Sequence, residues 1–151
     1  IAATCTSQMM ARTGDMSGQL PWGSLFEWGP TALLPVFETL GTEYASLRMT
    51  TRSARMNVTH DGYAKLDFVY PGAVASVQVG SDVKSEGELI VAGTDGYLLV
   101  PAPWWKTEYF EVRREDPRAT RRYYFQLEGE GIRSELLEFA LLASGRTHLG
   151  L

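Results

Sequence analysis

The stretch Lys65-Leu66-Asp67-Phe68-Val69-Tyr70-Pro71-Gly72-Ala73-Val74-Ala75-Ser76-Val77-Gln78-Val79 decides the fold. Leu66 and Phe68 alternate with Lys65 and Asp67, and Ala75, Val77 and Val79 alternate with Ser76 and Gln78. A period of two is the mark of a strand with one buried and one wet face. Tyr70-Pro71-Gly72-Ala73 between the two runs is a tight turn, so the strands are antiparallel neighbours.

Working outward, the same period recurs. Ala45, Leu47 and Met49 alternate with Ser46, Arg48 and Thr50. Residues 87–92 and 97–101 flank Gly93-Thr94-Asp95-Gly96, a hairpin signal. Residues 108–114 and 121–127 form another pair around Glu115-Asp116-Pro117-Arg118-Ala119-Thr120. Before these strands, residues 9–24 read as a loop, and Pro30 to Gly41 read as a helix with Leu33, Phe37 and Leu40 on one face. Pro35 removes one backbone bond inside it. Ala2 to Ser7 is strand-like, and a closing helix carries Ile132, Leu136 and Phe139 as its stripe and stops at Gly145. The order is strand, helix, about seven strands, helix. That is an α+β open-faced sandwich: a mostly antiparallel sheet with helices on one face.

The other face should then carry Tyr63, Lys65, Asp67, Ser76, Gln78, Glu111, Arg113, Tyr124 and Gln126. A solvated surface and an oligomer interface both suit that mixture of Tyr, Arg and polar residues.

Composition narrows the function classes. The 151 residues suit one domain, 1–151, and 44 % hydrophobic residues suffice for a core. A net charge of −4 argues against a nucleic-acid partner. No apolar run approaches the ~20 residues that span a bilayer. Cys5 is the one cysteine, so no internal disulfide forms; a cytoplasmic setting and a buried, inert thiol are expected. Asn57-Val58-Thr59 matches a glycosylation acceptor without a leader to give it meaning. The opening on Ile1 within a strand-like run suggests a fragment of a larger polypeptide.

Catalytic motifs are sparse. Gly129-Glu130-Gly131 lacks the third glycine and the βαβ context of a dinucleotide loop. His60 and His148 have no cysteine or carboxylate partners at metal-ligand spacing. The cluster Arg113, Arg114, Arg118, Arg121 and Arg122, interleaved with Glu115 and Asp116, reads as a solvated hairpin end rather than an anion site. Trp104 and Trp105 follow a Pro-Ala-Pro turn; a packing anchor is the favoured reading, and a platform for a sugar ring is the other.

Gly93-Thr94-Asp95-Gly96-Tyr97-Leu98-Leu99-Val100-Pro101-Ala102-Pro103-Trp104-Trp105 resembles a signature of the glucose–fructose oxidoreductase/inositol dehydrogenase (Gfo/Idh/MocA) family, close to its dihydrodiol and aldose dehydrogenase branch. Ala3 to Ser7 resembles the first strand of that family's C-terminal domain, and Gly131 to Phe139 resembles its late helix. The resemblance implies a C-terminal substrate-binding and oligomerisation domain of an NAD(P)-dependent oxidoreductase acting on a sugar or polyol. It implies a homodimer or higher oligomer through the open sheet face, and a small-molecule substrate. The family's Rossmann domain and its Glu-Lys-Pro lysine have no counterpart here, where the lysines are Lys65, Lys84 and Lys106. No cofactor is therefore expected on this chain, with NAD or NADP bound by the full-length enzyme. The match runs out near Gly145-Arg146-Thr147, before the family's last helix.

Many family members carry Gly-Gly-x-Leu-x-Asp-x-Gly-x-His/Tyr at the first helix of this domain. The matching stretch here is Trp22-Gly23-Ser24-Leu25-Phe26-Glu27-Trp28-Gly29-Pro30-Thr31. Glu27 stands for the usual Asp and Thr31 for the usual His or Tyr. A threonine hydroxyl accepts and donates hydrogen bonds but does not transfer protons near neutral pH. Candidate substrate contacts are Glu27, Trp28, Thr31, Trp104 and Trp105; helix capping is the competing role for Glu27 and Thr31. A catalytically silent module that dimerises and binds carbohydrate is the alternative function.

Overall fold

The computed structural model describes residues 3–10, 23–53, 60–126 and 132–145, the first of these segments and Ser134 by backbone alone. Strand β1 (Ala3–Met10) is followed by helix α1 (Ser24–Leu40). Then come β2 (Ser46–Ser53), β3 (Asp61–Val69), β4 (Ala73–Gly80), β5 (Leu89–Ala92), β6 (Tyr97–Val100), β7 (Tyr109–Arg113) and β8 (Arg121–Tyr124). Helix α2 (Ile132–Ala143) follows. The eight strands form one sheet in the order β2-β3-β4-β1-β5-β6-β7-β8. Every pairing is antiparallel except β1 with β4. The α+β open-faced class and its seven-strand run stand as read from the sequence.

Register explains why alternation was decisive. One row crosses all eight strands: Arg48, Asp67, Ser76, Thr6, Ile90, Leu99, Glu111 and Arg122. The neighbouring row is Leu47, Phe68, Ala75, Cys5, Val91, Leu98, Val112 and Arg121. Side chains one residue apart point to opposite faces, so the first row is the open face and the second faces α1. Cys5 holds a register position in the apolar row; its side chain lies outside the described residues.

The core gathers on the α1 side. Ala32 and Val36 of α1 meet Ala64, Leu66 and Phe68 of β3, Ala75, Val77 and Val79 of β4, and Leu89 of β5. Phe37 and Tyr44 both present edges to the Phe68 ring, at 5.8 and 5.2 Å between centroids. The Tyr70 hydroxyl donates to the Gly41 carbonyl at 2.9 Å and ties the helix end to β3. Gly41 ends α1 at φ 77°, a conformation that favours glycine.

Two expectations change. The helix begins at Ser24 rather than at Pro30, so both Pro30 and Pro35 lie inside it. Neither proline has an N–H to donate within the helix. Further along, the Thr39 hydroxyl donates to Pro35 O at 2.6 Å, a back-bond to the carbonyl one turn earlier. Second, α2 does not bury its stripe. Ile132, Leu136 and Phe139 are 58, 63 and 70 % exposed, so among the described residues α1 is the helix that covers the core. The remainder of the loop expected over residues 9–24, apart from Met9, Met10, Gly23 and Ser24, lies outside the described residues. So do Asn57-Val58-Thr59, Gly129-Glu130-Gly131, His148 and the end of the strand expected to reach residue 127.

Candidate functional site

The first turn of α1 is held by another strand. Its N-cap, Gly23, has no side chain to satisfy the free backbone N–H groups. Asp61 at the start of β3 supplies the acceptor instead: Leu25 N donates to Asp61 Oδ2 at 2.9 Å. Ser24, 1 % exposed, donates to the Asp61 carbonyl at 3.1 Å and accepts from Ser81 N at 3.1 Å. A Cβ on Gly23 would stand 1.8 Å from Asp61 Oδ1, so the carboxylate occupies the space that a larger residue needs.

On this pinned helix, Glu27 sits in the first turn, where a carboxylate is favoured by the helix dipole. Thr31 lies four residues on, along the same face, and is exposed. With the helix starting at Ser24, Thr31 is interior and the capping role lapses for it; Asp61 fills that role. Trp28 packs against the core with its indole Nε1 buried and no hydrogen-bond partner among the described residues.

Trp104 and Trp105 form a short 3-10 turn, Trp104–Lys106, after a cis Ala102–Pro103 bond. Their rings meet edge to face at 6.0 Å, and both pack against the core cluster. Trp104 N donates to the Gly87 carbonyl at 2.9 Å, which fastens the turn to the start of β5.

Topology brings the two groups to one end of the sheet. Met10 and Tyr63 both pair with Gly80, while Ser7 pairs with Leu89 and Leu89 with Val100. The pinned start of α1 and the tryptophan turn after β6 thus leave from the same edge. β4 and β6 are three strand spacings apart, about 14 Å.

The arginine cluster divides by face. Arg113 and Arg122 share the open face with Glu111, which is 5 % exposed. Arg113 Nε donates to Glu111 Oε2 at 2.7 Å, and Arg122 Nε donates to Oε1 at 2.9 Å. Hydrogen bonds from Arg122 first, then Arg113, hold the Glu111 carboxyl below its ordinary pKa; the Arg122 guanidinium is raised by its hydrogen bonds to Tyr124 first and then to Glu111. Arg122 also lies over the Tyr109 ring, 4.8 Å from its centroid. Arg118 instead pairs with Asp116 in the β7–β8 loop. The cluster therefore includes a structured clasp as well as a solvated hairpin end. Sequence order alone hid it, because Glu111, Arg113 and Arg122 converge only through the pairing of β7 with β8.

No group of three His, Cys, Asp or Glu placed to hold a metal occurs among the described residues. No helix among them is long and apolar enough to cross a membrane.

No family model and no curated protein matches the chain. Solved structures do. An oxidoreductase from Agrobacterium radiobacter, crystallised with NAD+, L-tartaric acid and magnesium, aligns at TM-score 0.70 and 18 % identity, over 96 % of this chain and 47 % of its own. The aldose-aldose oxidoreductase of Caulobacter crescentus aligns at TM-score 0.73 and 15 % identity, over 95 % and 46 %. The UDP-N-acetylglucosamine 3-dehydrogenase of Acidithiobacillus ferrooxidans aligns at TM-score 0.76 and 14 % identity, over 95 % and 45 %. The chain thus has a fold found in sugar-related oxidoreductases and spans just under half the length of these proteins. At such identities the likeness establishes the fold alone.

Proposed function

We propose that this chain is the C-terminal substrate-binding and oligomerisation domain of a Gfo/Idh/MocA-type, NAD(P)-dependent oxidoreductase acting on a sugar, polyol or related compound. One observation carries the reading: nearly the whole chain superposes on about half of each of several such oxidoreductases. The sequence points the same way, in the Gly93–Trp105 stretch and the Gly23–Thr31 stretch. Cofactor chemistry belongs to the other half, because this chain carries no Gly-x-Gly-x-x-Gly loop and no Glu-Lys-Pro lysine.

The contribution of this chain is to bind and orient. Glu27 accepts hydrogen bonds from substrate hydroxyls, Thr31 donates or accepts one, and the indoles of Trp28, Trp104 and Trp105 wall the site and exclude water. The open face, with Tyr97, Tyr109 and Tyr124 around the Glu111 clasp, serves as the contact with a second copy.

The coding sequence upstream of Ile1 tests the reading. A dinucleotide loop followed by Glu-Lys-Pro supports it, and a start codon close to Ile1 defeats it. The chain by itself should show no saturable NAD(P)H fluorescence change. Light scattering at tens of micromolar should give a dimer or larger, and a monomer mass counts against the open-face contact. Thr31, in place of a proton-transferring His or Tyr, favours one second reading: a catalytically silent module that dimerises and binds carbohydrate. The upstream coding sequence separates the two, since a silent stand-alone module has no dinucleotide-binding half.

A further inference from the structure

We propose that the site between the start of α1 and the tryptophan turn takes a sugar or polyol that carries neither phosphate nor carboxylate. The inference rests on the reading of this chain as a substrate-binding domain, and it adds the charge class of the substrate. The loop between β4 and β5, residues 81–88, touches both sides of that site. Ser81 N donates to Ser24 Oγ at 3.1 Å at the α1 end, and Trp104 N donates to the Gly87 carbonyl at 2.9 Å at the other.

Two features set the charge. First, the start of α1 already holds an anion. A helix N-terminus is a ready seat for a phosphate, because its first N–H groups lack partners within the helix. Here Leu25 N donates to Asp61 Oδ2 at 2.9 Å, and Phe26 N donates to the Gly23 carbonyl at 3.1 Å. The Asp61 carboxylate stands where a phosphate oxygen would go. Second, negative charge is in excess around the site. Glu27 on α1, Glu86 and Glu88 on the loop, and Glu108 just past the tryptophan turn add to Asp61. Among the described residues, the cations on these segments are Lys84 and Lys106, and the remaining carboxylate of the loop, Asp82, pairs with Arg52. Five carboxylates thus face two ammonium groups. Glu86 and Glu88 flank the Gly87 that Trp104 grips, so they lie within about 10 Å of it, the distance over which charges act at ordinary salt without contact. An approaching phosphate is repelled. Neutral hydroxyls are not, and they meet an acceptor in Glu27 and apolar walls in the indoles.

The experiment is a titration of the full ¹⁵N-labelled chain, read at the indole N–H signals of Trp28, Trp104 and Trp105. The probes are D-glucose and D-sorbitol, and separately D-glucose 6-phosphate. A neutral probe should give saturable millimolar shifts. Glucose 6-phosphate should bind at least about tenfold more weakly at low salt, with the gap narrowing as added sodium chloride shortens the screening length. Glu86→Lys combined with Glu88→Lys should tighten glucose 6-phosphate about tenfold relative to glucose. If that variant fails to fold, the salt dependence of the parent decides. Glucose 6-phosphate binding as tightly as glucose overturns the proposal, as does a preference that salt leaves unmoved. Absence of a saturable response to both neutral probes overturns it too. Failure of the underlying reading shows separately: a start codon close to Ile1 defeats the oxidoreductase assignment whichever probe binds.

Discussion

Replacing Asp61 tests how α1 is set in place. The carboxylate accepts one backbone N–H at the helix start, and Gly23 offers no side-chain substitute. Removing an N-terminal cap of this kind costs about 1 kcal/mol, with a further fraction from the favourable placement of negative charge beside the helix dipole. Asp61→Ala should thus destabilise by about 1.5 kcal/mol, a fall in Tm of about 4 °C for a chain of this size. Asp61→Asn keeps an acceptor and should lose about half as much. The steric half of the arrangement adds a sharper check. Gly23→Ala drives its new methyl into Asp61 Oδ1 and Cγ, at 1.8 and 2.6 Å, and crowds Asp61 N at 2.9 Å. The shift needed costs about 2 kcal/mol. Because both changes act on one contact, the double variant should be less destabilised than the sum by about 1 kcal/mol. Urea unfolding followed by tryptophan fluorescence measures all five proteins. Additivity within about 0.4 kcal/mol would refute the cap in trans, as would an Asp61→Ala variant as stable as the parent.

Phe68→Ala should cost about 4 kcal/mol, since Phe68 is 2 % exposed and receives two aromatic edges; a loss below about 1 kcal/mol in urea unfolding contradicts that core. The Glu111 clasp makes stability depend on pH. Its folded pKa lies below the ordinary value, so its stabilisation is full above the unfolded carboxylate range and fades as pH falls through the depressed folded value. Glu111→Gln should accordingly be less stable than the parent near neutrality, with the gap closing as the solution is acidified; a gap constant from pH 7 down to acid would show that the carboxylate charge is irrelevant.

The sheet was largely legible because alternation is a local property. Lys65, Asp67, Ser76 and Gln78 announce one face, and Leu66, Phe68, Ala75 and Val77 the other, wherever the strands finally sit. The Gly93–Gly96 turn was equally local: Gly93 N donates to Gly96 O at 2.9 Å. A Cβ on Gly96 would lie 2.3 Å from Arg113 O, so glycine is required there by β7 packing as well. The start of α1 is not legible locally, since Pro30 resembles a first-turn residue and the group that caps the helix, Asp61, is 36 residues away from the N–H it satisfies. The aligned motif Gly23–Thr31 did mark that start.

By itself the sequence determined the α+β class, the phase of the strands and the stretch around Trp104 and Trp105. Those depend on periodicity and on turn residues, which act over a few positions. Tertiary structure alone decided that β1 enters the middle of the sheet parallel to β4. It alone placed the α1 turn and the tryptophan turn at one sheet end and closed Arg113 and Arg122 on Glu111. Each of these joins residues distant along the chain, and only the sheet's order and register bring such residues within reach of a hydrogen bond.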